Sequence, residues 1–106
     1  MQYVVLAQHS ADICPSSNAK VRKKAMDLAG QVAALTNKHK VKLVSGPHVL
    51  GLSHKMVVVV DAPSVEAVRD FGMEAGLVQW NDVEIHPSWN MEEALKRIAA
   101  LEPIPW

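Results

Sequence analysis

Hydrophobic and polar positions along this chain follow two different periods, and the order of those periods predicts the fold. Alternating or continuous β-branched apolar runs, which are typical of strands, cover residues 3–7, 40–44, 56–60 and 82–86. Apolar positions spaced three and four residues apart, which are typical of amphipathic helices, cover residues 16–37 and 64–75. The predicted order is strand, helix, strand, strand, helix, strand, which is a βαββαβ plan.

This plan predicts an α+β fold of the ferredoxin-like kind, with an antiparallel four-stranded sheet and the helices on one face. The first and third strands are central in such a sheet. Residues 3–7 are largely apolar on both faces, and residues 57–60 are four consecutive valines that would promote aggregation on an open edge. The second face of the sheet is left uncovered, so we expect it to meet a ligand or a partner.

Turn and capping residues set the expected start of the first helix. Proline is well tolerated at the first helical position, so Cys14 before Pro15 is a candidate N-cap. The alternative caps are Ser16, Ser17 and Asn18. The apolar stripe expected to face the core is Val21, Ala25, Leu28, Val32 and Leu35.

Further along the chain, turn residues predict one strand end and one extra helix. Gly46 and Pro47 are expected to break the second strand. Asn90, with Glu93 three residues later, resembles a capping box. It predicts a short C-terminal helix whose apolar stripe is Met91, Leu95 and Ile98. The tail is expected to be extended, and Trp106 to dock on another subunit.

The amino-acid composition argues against some classes of protein but does not identify one. The 106 residues are 49% hydrophobic, which suits a single domain spanning residues 1–106. Eleven basic and eleven acidic residues cancel, so the net charge makes no strong electrostatic case for nucleic acid or an anionic membrane as partner. A low net charge mildly favours a closed oligomer. The N-terminus carries no secretory pattern and no apolar run has membrane-spanning length, so we expect a cytoplasmic protein.

The predicted topology gathers the residues that can carry chemistry at one end of the sheet. His9 follows the first strand, His54 precedes the third, and Trp80, Asn81 and Asp82 lead into the fourth. The segment holding Cys14 starts at the same end, and His48 approaches it from the second strand. We expect His86 toward the opposite end and His39 in an exposed link after the first helix.

Two chemical interpretations of this end stay open beside a purely structural one. A transition-metal site here would use two or three imidazoles, with or without a carboxylate or thiolate, and the candidate ligands are His9, His48, His54, Asp82 and Cys14. Cys14 at a helix start would have a lowered pKa and, with His9 as base, would act as a nucleophile or redox-sensitive thiol. Otherwise these residues are polar strand ends, and Cys14 is a small cap. The single cysteine excludes an internal disulfide.

The plan and size resemble the dimeric α+β barrel superfamily, which includes small cofactor-free monooxygenases and muconolactone isomerase. A local likeness runs through VVVDAPSVEAV at residues 58–68 and DVEIH at residues 82–86. These segments look like the strand, Ala-Pro-Ser-led helix and final strand of small ferredoxin-like proteins, some of them nickel-binding. The resemblance implies a homodimer in which two sheets pack through their open faces. The polar face of the fourth strand would then form inter-subunit bonds or line the enclosed space.

The expected function is the binding of a small molecule in a pocket between sheet and helices, with or without its turnover by proton transfer or oxidation. His9, Cys14 and His54 are the candidate catalytic residues at its polar end. The candidate ligand-binding residues are Tyr3, Val5, Met56, Phe71, Trp80 and Asp82. The alternatives are a transition-metal-binding protein using His9, His48 and His54, and an assembly module without catalysis.

Overall fold

The computed structural model describes residues 1–104, which form one antiparallel sheet and three helices. The strands are β1 (Gln2–Gln8), β2 (Lys42–Val49), β3 (Lys55–Asp61) and β4 (Asp82–Ser88). The helices are α1 (Ala19–His39), α2 (Val65–Glu74) and α3 (Met91–Ala99), and short 3₁₀ turns lie at Ala11–Ile13 and Leu77–Gln79. The predicted α+β class, with a four-stranded antiparallel sheet, is confirmed. The elements are compatible with the ferredoxin-like plan.

The sheet has the order β2-β3-β1-β4, and its register sorts the side chains into two faces. Val5 of β1 pairs with Val58 of β3 on one side and with Ile85 of β4 on the other. These residues face α1 and α2. The core lies on this side of the sheet, and its buried members are Tyr3, Val5, Val41, Val58, Val60, Ala62 and Val68.

The first helix begins later than the sequence predicts, and its cap is Asn18. The side-chain oxygen of Asn18 accepts a hydrogen bond from the backbone N–H of Val21 at 3.1 Å. An amide oxygen is a much better acceptor for a free helical N–H than a thiol sulfur, so Asn18 takes the position among the available caps. Among the caps that the sequence offered, Asn18 is therefore the one that forms, and Cys14 lies in the segment before the helix.

The second strand is longer than predicted because it continues through Gly46 and Pro47 to Val49. It lies at the edge of the sheet, where proline has no ladder hydrogen bond to lose. Its register against β3 shifts twice, between Leu43 and Ser45 and between Ser45 and His48, and such bulges absorb residues that do not fit a regular ladder. The predicted break is therefore a distortion within one strand.

The third helix forms as the capping pattern predicts, since Asn90 accepts a hydrogen bond from the backbone N–H of Glu93 at 2.8 Å. Its apolar stripe has no cover within the described chain: Met91, Leu95 and Ile98 are all more than half exposed. The prediction for Trp106 lies outside the described residues. None of the helices in residues 1–104 has both the length and the apolar character needed to cross a membrane.

His39 does not lie in an exposed link. It is the last residue of α1, and its ring contacts Glu74 of α2, a carboxylate that Lys38 also reaches at 2.6 Å. The helix runs two residues past the predicted end because Lys40 adopts the left-handed conformation, with φ of 57°, that closes it.

Replacing Val60 by alanine tests where the core lies. Val60 is 2% exposed, so Val60→Ala should lower the free energy of unfolding by roughly 2 kcal/mol in a urea titration, through lost burial and a residual cavity. The matched control is Val44→Ala on the edge strand, where the side chain is 47% exposed and the change should stay within about 0.5 kcal/mol. Equal losses at both positions would contradict the assignment of the core.

Candidate functional site

A large apolar cavity of about 820 Å³ separates the helices from the sheet. Its floor is the helix-facing side of the sheet, including Val58 and Ile85, and its roof includes Leu28 of α1 and Phe71 of α2. The volume falls within the range of roughly 300–1,000 Å³ that is typical of small-molecule sites.

The cavity explains the uneven burial of α1. Of its apolar stripe, Val21 and Leu35 near the two ends are buried, whereas Ala25, Leu28 and Val32 between them are only half-buried. These three side chains line the cavity and do not pack directly on the sheet. The stripe was predicted as core, and the structure shows that its middle forms the roof of the cavity.

Polar groups are concentrated at one end of the cavity. One ring nitrogen of His9, one of His54 and the sulfur of Cys14 lie within 4.8 Å of one another. The imidazole rings are 5.4 Å apart in a T-shaped arrangement, and the Trp80 ring lies 5.3 Å from that of His9. The three residues predicted as catalytic are thus neighbours at the mouth of a single apolar space.

The sheet register brings the two histidines together. Gln8 pairs with Lys55, and the ladder continues one step beyond the strands, where the N–H of His9 donates to the carbonyl oxygen of His54 at 3.1 Å. His54 has a φ of +56°, which is uncommon for a residue with a side chain, although histidine is among those enriched there. His54 ends a tight turn, and its backbone conformation holds its ring beside the ring of His9.

Hydrogen bonds hold the segment carrying Cys14 in a compact turn. The carbonyl oxygen of Cys14 accepts hydrogen bonds from the backbone N–H groups of Ser17 and Asn18, at 3.0 and 2.8 Å. Arg22, in the first turn of α1, donates to the carbonyls of Pro15 and Ser16 at 2.9 and 2.7 Å. Because Arg22 belongs to α1, the turn is fastened directly to the roof of the cavity.

The thiol of Cys14 is acidic for reasons that the sequence did not indicate. The Ser16 hydroxyl lies 3.0 Å from the sulfur and, followed by the Ser16 backbone N–H, lowers the pKa of Cys14 to about 6. The sequence predicted a lowered pKa from a helix N-terminus, but α1 begins five residues later. The shift arises because local hydrogen bonds favour the thiolate form.

Asn81 fixes the tautomer of His9. The Asn81 amide nitrogen donates to the Leu77 carbonyl at 3.2 Å, which turns its oxygen toward Nδ1 of His9 at 3.1 Å. Nδ1 of His9 therefore carries the proton and donates it to Asn81, and Nε2 presents a free lone pair. Nε2 is buried without a hydrogen-bond partner in the described chain.

The other predicted site residues are distributed unevenly. Val5, Met56, Phe71 and Trp80 line the cavity. Tyr3 is 5% exposed within the core and is not among the lining residues.

Two predicted residues lie away from the His9–Cys14–His54 cluster. Asp82 borders a separate shallow hollow beside Leu6 and Glu84 on the open face of the sheet. His48 is exposed on β2, with Nε2 3.2 Å from the Ser45 hydroxyl, and is not part of the cluster.

Sequence reasoning missed the roles of Ser16 and Asn81. A serine two residues after a cysteine, in a segment rich in turn residues, is a weak signal for a hydrogen bond to the sulfur. Asn81 was expected at this end of the sheet, but nothing in the sequence shows which histidine nitrogen its amide meets. Trp80 lines the cavity although Asp82, two residues later, does not, because Trp80 ends the 3₁₀ turn Leu77–Gln79, where the alternation of the strand does not yet apply.

Comparison of the chain with protein-family models, with curated proteins and with solved structures found no match.

The acidity of Cys14 predicts a pH profile for its alkylation. In chelator-treated, reduced protein the rate of reaction with iodoacetamide should rise with a midpoint near pH 6, because the thiolate is the reactive form. Ser16→Ala should move the midpoint up toward 9.0, the ordinary value for a thiol. Ser17→Ala is the control, since the Ser17 hydroxyl bonds backbone carbonyls and not the sulfur. A midpoint near 9.0 in the unaltered protein would contradict the assignment.

Proposed function

We propose that this protein binds a small, largely apolar molecule in the cavity between its helices and its sheet. The observation that carries the proposal is the cavity itself, of about 820 Å³, with apolar walls and polar groups gathered at one end. Apolar walls that no ligand covers stay exposed to water, and covering apolar surface is favourable. A guest that fills this space therefore stabilises the fold as it binds.

The distribution of polarity suggests the shape of the ligand. The walls offer aliphatic and aromatic contacts from both layers, for example from Leu28, Phe71 and Ile85, and these select an apolar body. His9, Cys14 and His54 lie at the polar end and suit one polar group on the ligand. We therefore propose a ligand with an apolar body and a single polar head, bound with its head toward the histidines.

If the ligand is also a substrate, the chemistry proposed for this end is proton transfer. Nε2 of His9 has a free lone pair, and Cys14 is mostly thiolate at neutral pH because its pKa is about 6. Both lie beside the expected head of the ligand, where each could accept a proton from it. The apolar walls would exclude water from the reacting atoms.

We further propose that the protein is a homodimer. The open face of the sheet carries Val4 of β1 opposite Val59 of β3, both only half-buried in the single chain. The exposed apolar stripe of α3 adds a second uncovered surface. A second copy is the partner with the best-matched chemistry, because eleven acidic and eleven basic residues leave no net charge to repel it.

Ligand binding can be tested with the apolar dye Nile red and by displacement of the dye with medium-sized apolar alcohols and acids. We expect saturable fluorescence enhancement that Ala25→Trp weakens at least tenfold, because the new ring would occupy the cavity from the roof. Ala34→Trp is the matched control, since it adds the same ring to an exposed position of α1.

The comparison between these variants decides the proposal. Equal dye affinity in Ala25→Trp and the unaltered protein would contradict binding in the cavity. No saturable binding of the dye by a folded protein would favour the assembly function.

The homodimer predicts a solution mass twice the 11.6 kDa of one chain in light scattering coupled to gel filtration. Val59→Lys should reduce the mass to that of one chain, because it places a charge in the proposed sheet-to-sheet contact. Met26→Lys, at a residue 69% exposed on α1, should leave the mass unchanged. A single-chain mass for the unaltered protein would rule out the dimer.

A further inference from the structure

We propose that His9, Cys14 and His54 together form a binding site for a divalent transition metal of the zinc class, with one coordination position open to the cavity. The three donor atoms lie within 4.8 Å of one another. This set keeps two of the imidazoles and the thiolate that the sequence suggested, and it leaves out His48 and Asp82. It does not depend on the ligand-binding function proposed above.

The donor set selects the kind of metal. One thiolate and two imidazoles are soft to borderline ligands, which favour zinc and its transition-metal neighbours over magnesium or calcium. Bonds of about 2.0–2.3 Å in a tetrahedral site would bring the donors to roughly 3.5 Å apart. The side chains therefore need to close by about 1 Å, which side-chain rotation within the turn segments can supply.

The environment of His9 is that of a metal ligand. Histidines that bind metals almost always donate their other ring N–H to an oxygen, which fixes the ring and its tautomer. In this protein the side-chain oxygen of Asn81 accepts the hydrogen bond from Nδ1 of His9, at 3.1 Å. The opposite nitrogen, Nε2, is buried and has no hydrogen-bond partner in residues 1–104. A buried acceptor without a partner is costly, and a metal ion would satisfy it.

The number of ligands indicates how the site would be used. Three protein donors with a fourth position left open are typical of catalytic zinc sites, whereas structural sites are closed by four. The residues around the cluster are the lining of the cavity, including Trp80 and Met56. The open position would therefore face the proposed ligand. With a metal bound, the polar head of that ligand would meet the ion, and His9 and Cys14 would no longer be free to accept a proton from it.

Cobalt(II) is the probe for this site, because a thiolate bound to it gives a charge-transfer band in the near ultraviolet. Chelator-stripped, reduced protein titrated with cobalt chloride should show this band and saturate at one ion per chain. Cys14→Ser should abolish the band. His9→Ala should weaken cobalt binding at least tenfold. His48→Gln and His86→Gln are matched controls outside the cluster, and both should bind cobalt within twofold of the unaltered protein.

Asn81→Ala tests the positioning role of the amide. We expect cobalt affinity to fall roughly 10- to 100-fold while the charge-transfer band persists at saturation, because the three donors remain but the His9 ring is no longer held. The urea midpoint of each variant reports whether it folds.

Zinc protection tests the site in the unaltered protein and needs no variant. One equivalent of Zn²⁺ should block alkylation of Cys14 by iodoacetamide.

Three results would overturn the metal site. They are cobalt saturation without a charge-transfer band, a loss of affinity in His48→Gln equal to that in His9→Ala, and unchanged alkylation of Cys14 in the presence of zinc. None of these readouts involves Nile red. If the protein binds the dye but does not bind cobalt, the metal site alone is refuted. If it binds cobalt but does not bind the dye, the cavity proposal alone is refuted.

Discussion

The antiparallel pairing of β1 with β3 is the constraint on which the rest of this structure depends. It sets Val5 against Val58 on the helix-facing side, which builds the centre of the core. The same register, extended by one hydrogen bond, sets His9 beside His54. A shift of one residue would turn every side chain of β1 to the other face. It would remove the core and the histidine pair together, so fold and candidate site share a single origin.

Much of this fold could be predicted because its strands and helices are marked by local patterns. Such patterns determine the backbone conformation of residues close to them in sequence. Examples are the valines of β3, the Ser64 cap of α2 and the Asn90 cap of α3. The predicted bounds were wrong where contacts in the folded chain decide how far an element extends. β2 passes through Gly46 and Pro47 because an edge strand tolerates bulges. α1 starts at Ala19 because Asn18 is the better acceptor.

The candidate site was predictable in its location and less so in its geometry. Topology alone brings the ends of β1, β3 and β4 together, and so it collected His9, His54 and Asn81. It also placed Cys14 at this end, but it could not show that His48 would stay apart from the other three, since that depends on the path of the edge strand. Nor could it show that Leu28 and Val32 roof a cavity, because a helix stripe over a cavity has the same spacing as one packed tightly on a sheet.

The hydrogen bonds from Arg22 to Pro15 and Ser16 link the roof of the cavity to the segment that carries the thiol. A guest that raises or lowers α1 would displace the sulfur, and an ion that draws the sulfur inward would pull on the helix. By thermodynamic reciprocity, each occupant then changes the affinity for the other by the same factor. One arginine side chain would thus make two adjacent sites a cooperative pair.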